Sequence, residues 1–136
     1  MFERIACELH QNETVSYLGV VDFNNLPFRP SRAYWINAME NGESRGFHAH
    51  KKLNQVIIIL EGIVELTLYR GNLKFVYNLT NKDPHIVVPF GTWREILSLS
   101  EGSSLLVLAD SKFEEEDYIR DWNEYLEWYF GKYSES

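Results

Sequence analysis

The stretch NQVIIILEGIVELTLYRGNLKFVYNLT, residues 54–80, limits the fold more than any other part of the chain. Val56 to Leu60 form a β-branched apolar run, and Glu61-Gly62 suits a turn or bulge. Val64, Leu66 and Leu68 then alternate with Glu65, Thr67 and Tyr69. A period of two puts successive side chains on opposite faces, so this is a half-buried strand. Gly71-Asn72 is a candidate hairpin turn. ETVSYLGVVDF, SRAYWINA, HIVVPFGTW and SSLLVLAD read as further strands, broken by NNLPFRP and MENGES. Many short strands at regular spacing favour a barrel or a sandwich.

The chain has 136 residues, with no linker, repeat or low-complexity stretch, which predicts a single domain over 1–136. Strands account for about 1–113. The tail changes period. In EEEDYIRDWNEYLEWYF, Tyr118, Trp122, Tyr125 and Tyr129 lie four, three and four apart, with Leu126 beside them. That spacing predicts a C-terminal α-helix over about 114–130 with one aromatic stripe. The acidic run Glu114, Glu115, Glu116 and Asp117 would suit the positive end of its dipole. Packing against the sheet is the first expectation for the stripe; a lid or dimer contact is the alternative.

A formal net charge of −7 argues against nucleic acid or an acidic membrane as the main partner. A small anionic ligand stays open, because a few local cations decide that. The single cysteine, Cys7, fits a reducing compartment. No secretion signal and no membrane-length apolar run is visible, so a soluble cytoplasmic protein is expected.

RGFHAHKKLNQ carries the chemistry. His48 and His50 are two apart, so on a strand they share a face. The local pattern alone leaves a metal site, a proton-transfer pair and two surface histidines open. With PFGTWREI downstream, the region resembles the two motifs of the cupin family, small barrels of two packed antiparallel sheets. In metal-binding cupins the His-x-His pair, a following Glu and a later His ligate one ion. Here Gln55 and Arg94 stand at the last two positions. An amide is a poor substitute for a carboxylate, and a guanidinium has no lone pair to offer. Two histidines alone rarely hold a divalent ion, so no metal is expected.

A longer set of strings is more specific. RAYWI, RGFHAHKKLNQ, VPFGTWREI and LLVLADSKFEEEDYIRDWNEYLEW occur in that order between Arg32 and Trp128. Together they are similar to the sugar 3,4-ketoisomerases, a WxcM-like branch of the cupins acting on dTDP-4-keto-6-deoxyglucose. The resemblance implies an all-β, cupin-type (jelly-roll) antiparallel β-barrel with a C-terminal α-helix. It also implies a reaction without metal or redox cofactor: a base removes the C3 proton, an enediolate forms, and a proton is delivered to C4.

Carried onto this chain, the catalytic groups are His48, with His50 beside it, and Tyr34. Arg32, Arg45, Lys51, Gln55, Trp93 and Arg94 become candidates for substrate binding, and Trp35 is a second candidate for stacking. Many members read WHE where this chain reads WRE; Arg94 stays protonated near neutral pH, so it could stabilise the enediolate but not act as a base. The implied partner is a dTDP-linked 4-keto-6-deoxy sugar, on the way to a deoxyamino sugar of a surface glycan such as lipopolysaccharide. A homodimer with exchanged edge strands is implied as well. Two alternatives remain at this point. One is a related epimerase, which would need a His–Asp pair, and no companion aspartate can be placed from the sequence. The other is a sugar-binding cupin without activity.

Overall fold

The computed structural model describes residues 1–133. Its strands are β1 (Arg4–Ile5), β2 (Glu8–Gln11), β3 (Tyr17–Val20), β4 (Arg32–Met39), β5 (Ser44–His50) and β6 (Gln55–Glu61). There follow β7 (Val64–Arg70), β8 (Leu73–Leu79), β9 (His85–Val88), β10 (Thr92–Ser98), β11 (Ser103–Ala109) and β12 (Tyr118–Ile119). One α-helix, α1 (Trp122–Tyr133), closes the described chain. Two five-stranded antiparallel sheets form a cupin-type sandwich, in the orders β1-β9-β6-β11-β4 and β12-β5-β10-β7-β8, while β2 and β3 make a separate hairpin.

The patterns in residues 54–80 follow from this layering. Ile57 and Ile59 face the space between the sheets, where they meet Leu66, Leu68, Leu105 and Val107. Val56 and Ile58 face the other way, against Val87, Leu108, Ile5 and Leu26. Because β6 is covered on both faces, its sequence is continuously apolar. β7 sends Val64, Leu66 and Leu68 into the core. Its other face carries Tyr69, whose ring meets Trp122 of α1 at 4.8 Å. Gly71 occupies the hairpin turn to β8 with φ +63°. A Cβ there would lie 2.8 Å from the Tyr129 ring, so the turn and the helix fit each other only with glycine.

The helix starts later than its aromatic spacing suggests. Glu115–Asp117 form a short 3-10 turn, and Tyr118 and Ile119 pair as β12 with β5. Asp121 then caps α1 by accepting the Glu124 N–H at 2.9 Å. Tyr118 therefore leaves the helical stripe, and the acidic run does not sit on the helix terminus. Trp122, Tyr125 and Tyr129 do form a packing face, in the cluster that contains Trp93 and Tyr69. No helix among the described residues is long and apolar enough to cross a membrane.

One hydroxyl ties this layer together. The fully buried Tyr125 accepts the Gly71 N–H at 2.9 Å and donates to the Gly91 carbonyl at 2.8 Å. Tyr125→Phe leaves both backbone groups unpaired in an apolar setting. We expect a loss of about 2 kcal/mol of unfolding free energy. Urea denaturation checks this: the midpoint should fall with an unchanged slope.

Candidate active site

Strand alternation decides which side chains meet between the sheets. On β10, Trp93 and Arg94 are consecutive and face opposite ways. Trp93 is 3% exposed and packs under α1 against Trp122 and Tyr125, with its indole N–H on Glu95. It lies in the aromatic layer and not in the cavity, so the stacking role expected for it is withdrawn. Arg94 points inward and pairs across the strands with His48. On β4 the inward positions are Arg32, Tyr34 and Ile36, while Trp35 is 66% exposed at the sheet edge, on the rim.

A bulge sets the geometry of β5. Its register against β10 shifts between Arg94 and Glu95, leaving Phe47 without a partner. Gly46 and Phe47 both have positive φ, +96° and +57°. A Cβ on residue 46 would lie 2.9 Å from the Arg94 carbonyl oxygen. Strict alternation would send Arg45 and His48 to opposite faces. The extra residue brings both to the cavity, as bulges beside functional sites do.

The cavity has a volume of about 380 Å³, within the usual range for a small-molecule site. Arg32, Arg45 and Arg94 line it, together with Tyr34, His48 and Tyr118, and no carboxylate among the described residues does. A protein of net charge −7 thus holds a cationic pocket. Arg45 is the exposed member, paired with Glu43 at 2.9 Å. Arg32 lies over the Tyr34 ring at 5.0 Å, and its Nη1 is buried without a partner.

Lys51 does not line the cavity. It follows β5 and contributes its backbone N–H, which donates to the Asp117 carbonyl at 2.9 Å. The substrate contact expected of its side chain is withdrawn too: the pairing of β12 with β5 holds this part of the chain by its backbone.

His50 is fully buried behind His48, the two rings meeting edge to face at 4.9 Å. Its Nδ1 donates to the Asp117 carboxylate at 2.9 Å, and the same carboxylate accepts the Lys52 N–H at 2.6 Å. A companion aspartate therefore exists, supplied by the segment just before β12. The Nδ1–H of His48 donates to the Gly46 carbonyl at 3.1 Å. Both partners can only accept, so both imidazoles carry their proton on Nδ1 and keep a lone pair on Nε2. Both Nε2 atoms are buried without a partner.

Burial, and after it the Arg94 guanidinium, pushes His48 down to about 3. The same two causes, in the same order, push His50 down to about 2. Neutral pH leaves both rings uncharged. Arg94 itself is held down to about 10 by burial. It donates to the Gln55 amide oxygen and, at 3.1 Å, to the Thr92 carbonyl. With Gln55 and Arg94 bonded to each other, the donor set beside the histidines does not suit a divalent ion. Among the described residues no group of three or more His, Cys, Asp or Glu side chains is arranged to hold a metal ion.

Tyr118 and Asp117 are site residues that helical periodicity hid. The Tyr118 ring lies 5.0 Å from that of His48 and 4.4 Å from that of His50. Asp121 with Glu124 three residues on is a capping pattern that would have started the helix at Trp122 and left Asp117 and Tyr118 free to reach the barrel.

A cupin-type barrel with a neutral imidazole, a phenol and three guanidinium groups around one small cavity is equipped for acid–base work on a small anion. The comparison with known proteins makes this particular. The family described as "FdtA: WxcM-like, C-terminal" matches residues 4–129, and the chain belongs to it. A TDP-4-oxo-6-deoxy-alpha-D-glucose-3,4-oxoisomerase from Aneurinibacillus thermoaerophilus is 34% identical over 112 residues, covering 81% of this chain and 79% of the relative. A histidine-to-asparagine variant of the 3,4-ketoisomerase QdtA from Thermoanaerobacterium thermosaccharolyticum has been solved in complex with TDP-4-keto-6-deoxyglucose. It is similar to this chain at a TM-score of 0.87 and 28% identity, over 98% of this chain and 96% of that one. A 3,4-ketoisomerase from Helicobacter canadensis reaches a TM-score of 0.84 at 30% identity, over 94% of this chain and 96% of its own.

Proposed function

We propose that this protein is an isomerase converting TDP-4-keto-6-deoxyglucose into the corresponding TDP-3-keto-6-deoxyhexose. The observation that carries the reading is the pairing of a lone-pair acceptor, His48 Nε2, with the Tyr34 hydroxyl in one arginine-lined cavity. The C4 ketone acidifies the C3–H bond. His48 Nε2 takes that proton, the electron pair becomes the C3–C4 double bond, and the oxygen on C4 becomes an oxyanion. Tyr34 protonates this oxygen. The phenolate so formed then takes the proton from the hydroxyl on C3, while the His48 imidazolium, after exchange with solvent, returns its proton to C4. The ketone has moved from C4 to C3, with no net change in protons or electrons. Arg94 faces the developing oxyanion with a fixed positive charge. Arg45 and Arg32 meet the diphosphate.

The rest of the reading is biological. The protein acts in the cytoplasm, supplying a deoxyamino sugar for a surface glycan such as lipopolysaccharide. It works as a homodimer joined through β4, an edge strand with unpaired backbone groups and the exposed Trp35.

One observation favours a second reading. The His50–Asp117 pair is the arrangement an epimerase would need, although its buried location keeps it from lining the cavity. Incubation with TDP-4-keto-6-deoxyglucose in D₂O, followed by NMR, separates the two. We expect a 3-keto product with deuterium at C4. Deuterium uptake with an unmoved ketone would establish the epimerase, and no exchange at all would leave a binding protein.

A further inference from the structure

Gln55 lies on β6, 1% exposed, between two groups of the cavity. Its amide oxygen accepts from Arg94 Nη1, and its Nε2 lies 3.2 Å from the Tyr34 hydroxyl oxygen. An arginine can only donate. The end of the amide facing Arg94 must therefore be the oxygen, and the end facing Tyr34 must be the NH₂. An NH₂ group can only donate as well, so the Tyr34 oxygen is the acceptor in that bond. Its own proton is left over, and no acceptor among the described residues takes it. The one direction open to it is the cavity.

We propose that Gln55 is a positioning residue that transmits the fixed polarity of Arg94 to Tyr34 and so makes the phenol a proton donor when substrate arrives. The inference rests on the ketoisomerase reading, because it assigns Tyr34 a place in that reaction. His48 and Tyr34 are then complementary for the same kind of reason. The Gly46 carbonyl, an obligate acceptor, leaves His48 Nε2 as a base. Arg94, an obligate donor acting through Gln55, leaves Tyr34 as an acid. The N–H of Gln55 also stabilises the phenolate until the proton returns.

Gln55→Glu inverts the chain at constant shape. One carboxylate oxygen pairs with Arg94, and the other accepts the Tyr34 hydroxyl, turning its proton away from the cavity. The test compares the wild type, Gln55→Glu, Tyr34→Phe and the double variant, by NMR turnover of TDP-4-keto-6-deoxyglucose. We expect Gln55→Glu to lower kcat about 100-fold in the wild-type background, with KM changed by less than about threefold. In the Tyr34→Phe background it should cost less than about twofold, because the group it acts through is gone. A structural role would give equal losses in both backgrounds, and that result overturns the proposal, as does an unchanged kcat in the single variant. If Gln55→Glu fails to fold, Gln55→Met takes its place, with a loss of about tenfold expected only where Tyr34 is present. A wild type that does not move the ketone takes down the functional reading and this inference together. Equal losses in an active enzyme take down this inference alone.

Discussion

His48→Asn should lower turnover of TDP-4-keto-6-deoxyglucose by about 1,000-fold or more, while leaving the fold and the affinity for TDP nearly unchanged. The asparagine NH₂ can still donate to the Gly46 carbonyl, so the bulge in β5 keeps its internal bond. The cavity loses its base but none of its arginines. Calorimetric titration with TDP should then give a dissociation constant within about threefold of the wild type. Near-normal turnover in this variant would remove His48 from the reaction. The wild-type pH profile checks the same assignment independently. An imidazole at its ordinary pKa of about 6.5 would cost about tenfold in kcat/KM between pH 7.5 and 5.5. His48, held at about 3, is already deprotonated across that range, so the acidic limb should be flat. Stability moves differently. Below about pH 6.5 the unfolded chain binds protons that the buried rings refuse, so unfolding free energy falls progressively as pH drops toward about 3.

Most of the barrel was legible in the sequence because its strands announce themselves by period. Val64, Leu66 and Leu68 alternate since β7 has one core face, and the run from Val56 is continuous since β6 has two. Placing side chains needed more than period. Trp93 and Arg94 are neighbours on a strand, so alternation already excludes one of them from the cavity. Arg45 and His48 are three apart and face the same side only because Phe47 is an extra residue. A bulge of this kind depends on the partner strand, and Gly46 was its one local trace. The His50–Asp117 bond spans 67 positions, and no local pattern announces such a contact. The late start of α1 was available from Asp121 and Glu124, but the aromatic period ran through Tyr118 and masked it.

Arg94→Met should uncouple activity from stability. Arg94 is 2% exposed, forms no ion pair among the described residues, and leaves its Nε without a partner. Burial holds it down to about 10 from an ordinary 12.5, so its charge is disfavoured in the folded state. Methionine fills a similar volume without charge. The substitution sacrifices the bonds to Gln55 and to the Thr92 carbonyl, each contributing about 1 kcal/mol. Relief of the buried charge and loss of these bonds oppose each other, so the urea midpoint should move little. Turnover should fall about 100-fold or more, because the oxyanion loses its fixed cation and Gln55 loses the partner that orients it. A third consequence ties the two together. Arg94 is the second cause of the low His48 value, so the variant's imidazole should titrate closer to its ordinary range. The acidic limb that the wild type lacks should then begin to appear in what activity remains. A variant less stable than the wild type by several kcal/mol would show that Arg94 holds the barrel together. One that is stable, active and flat in its pH profile would show that its charge reaches neither the substrate nor His48.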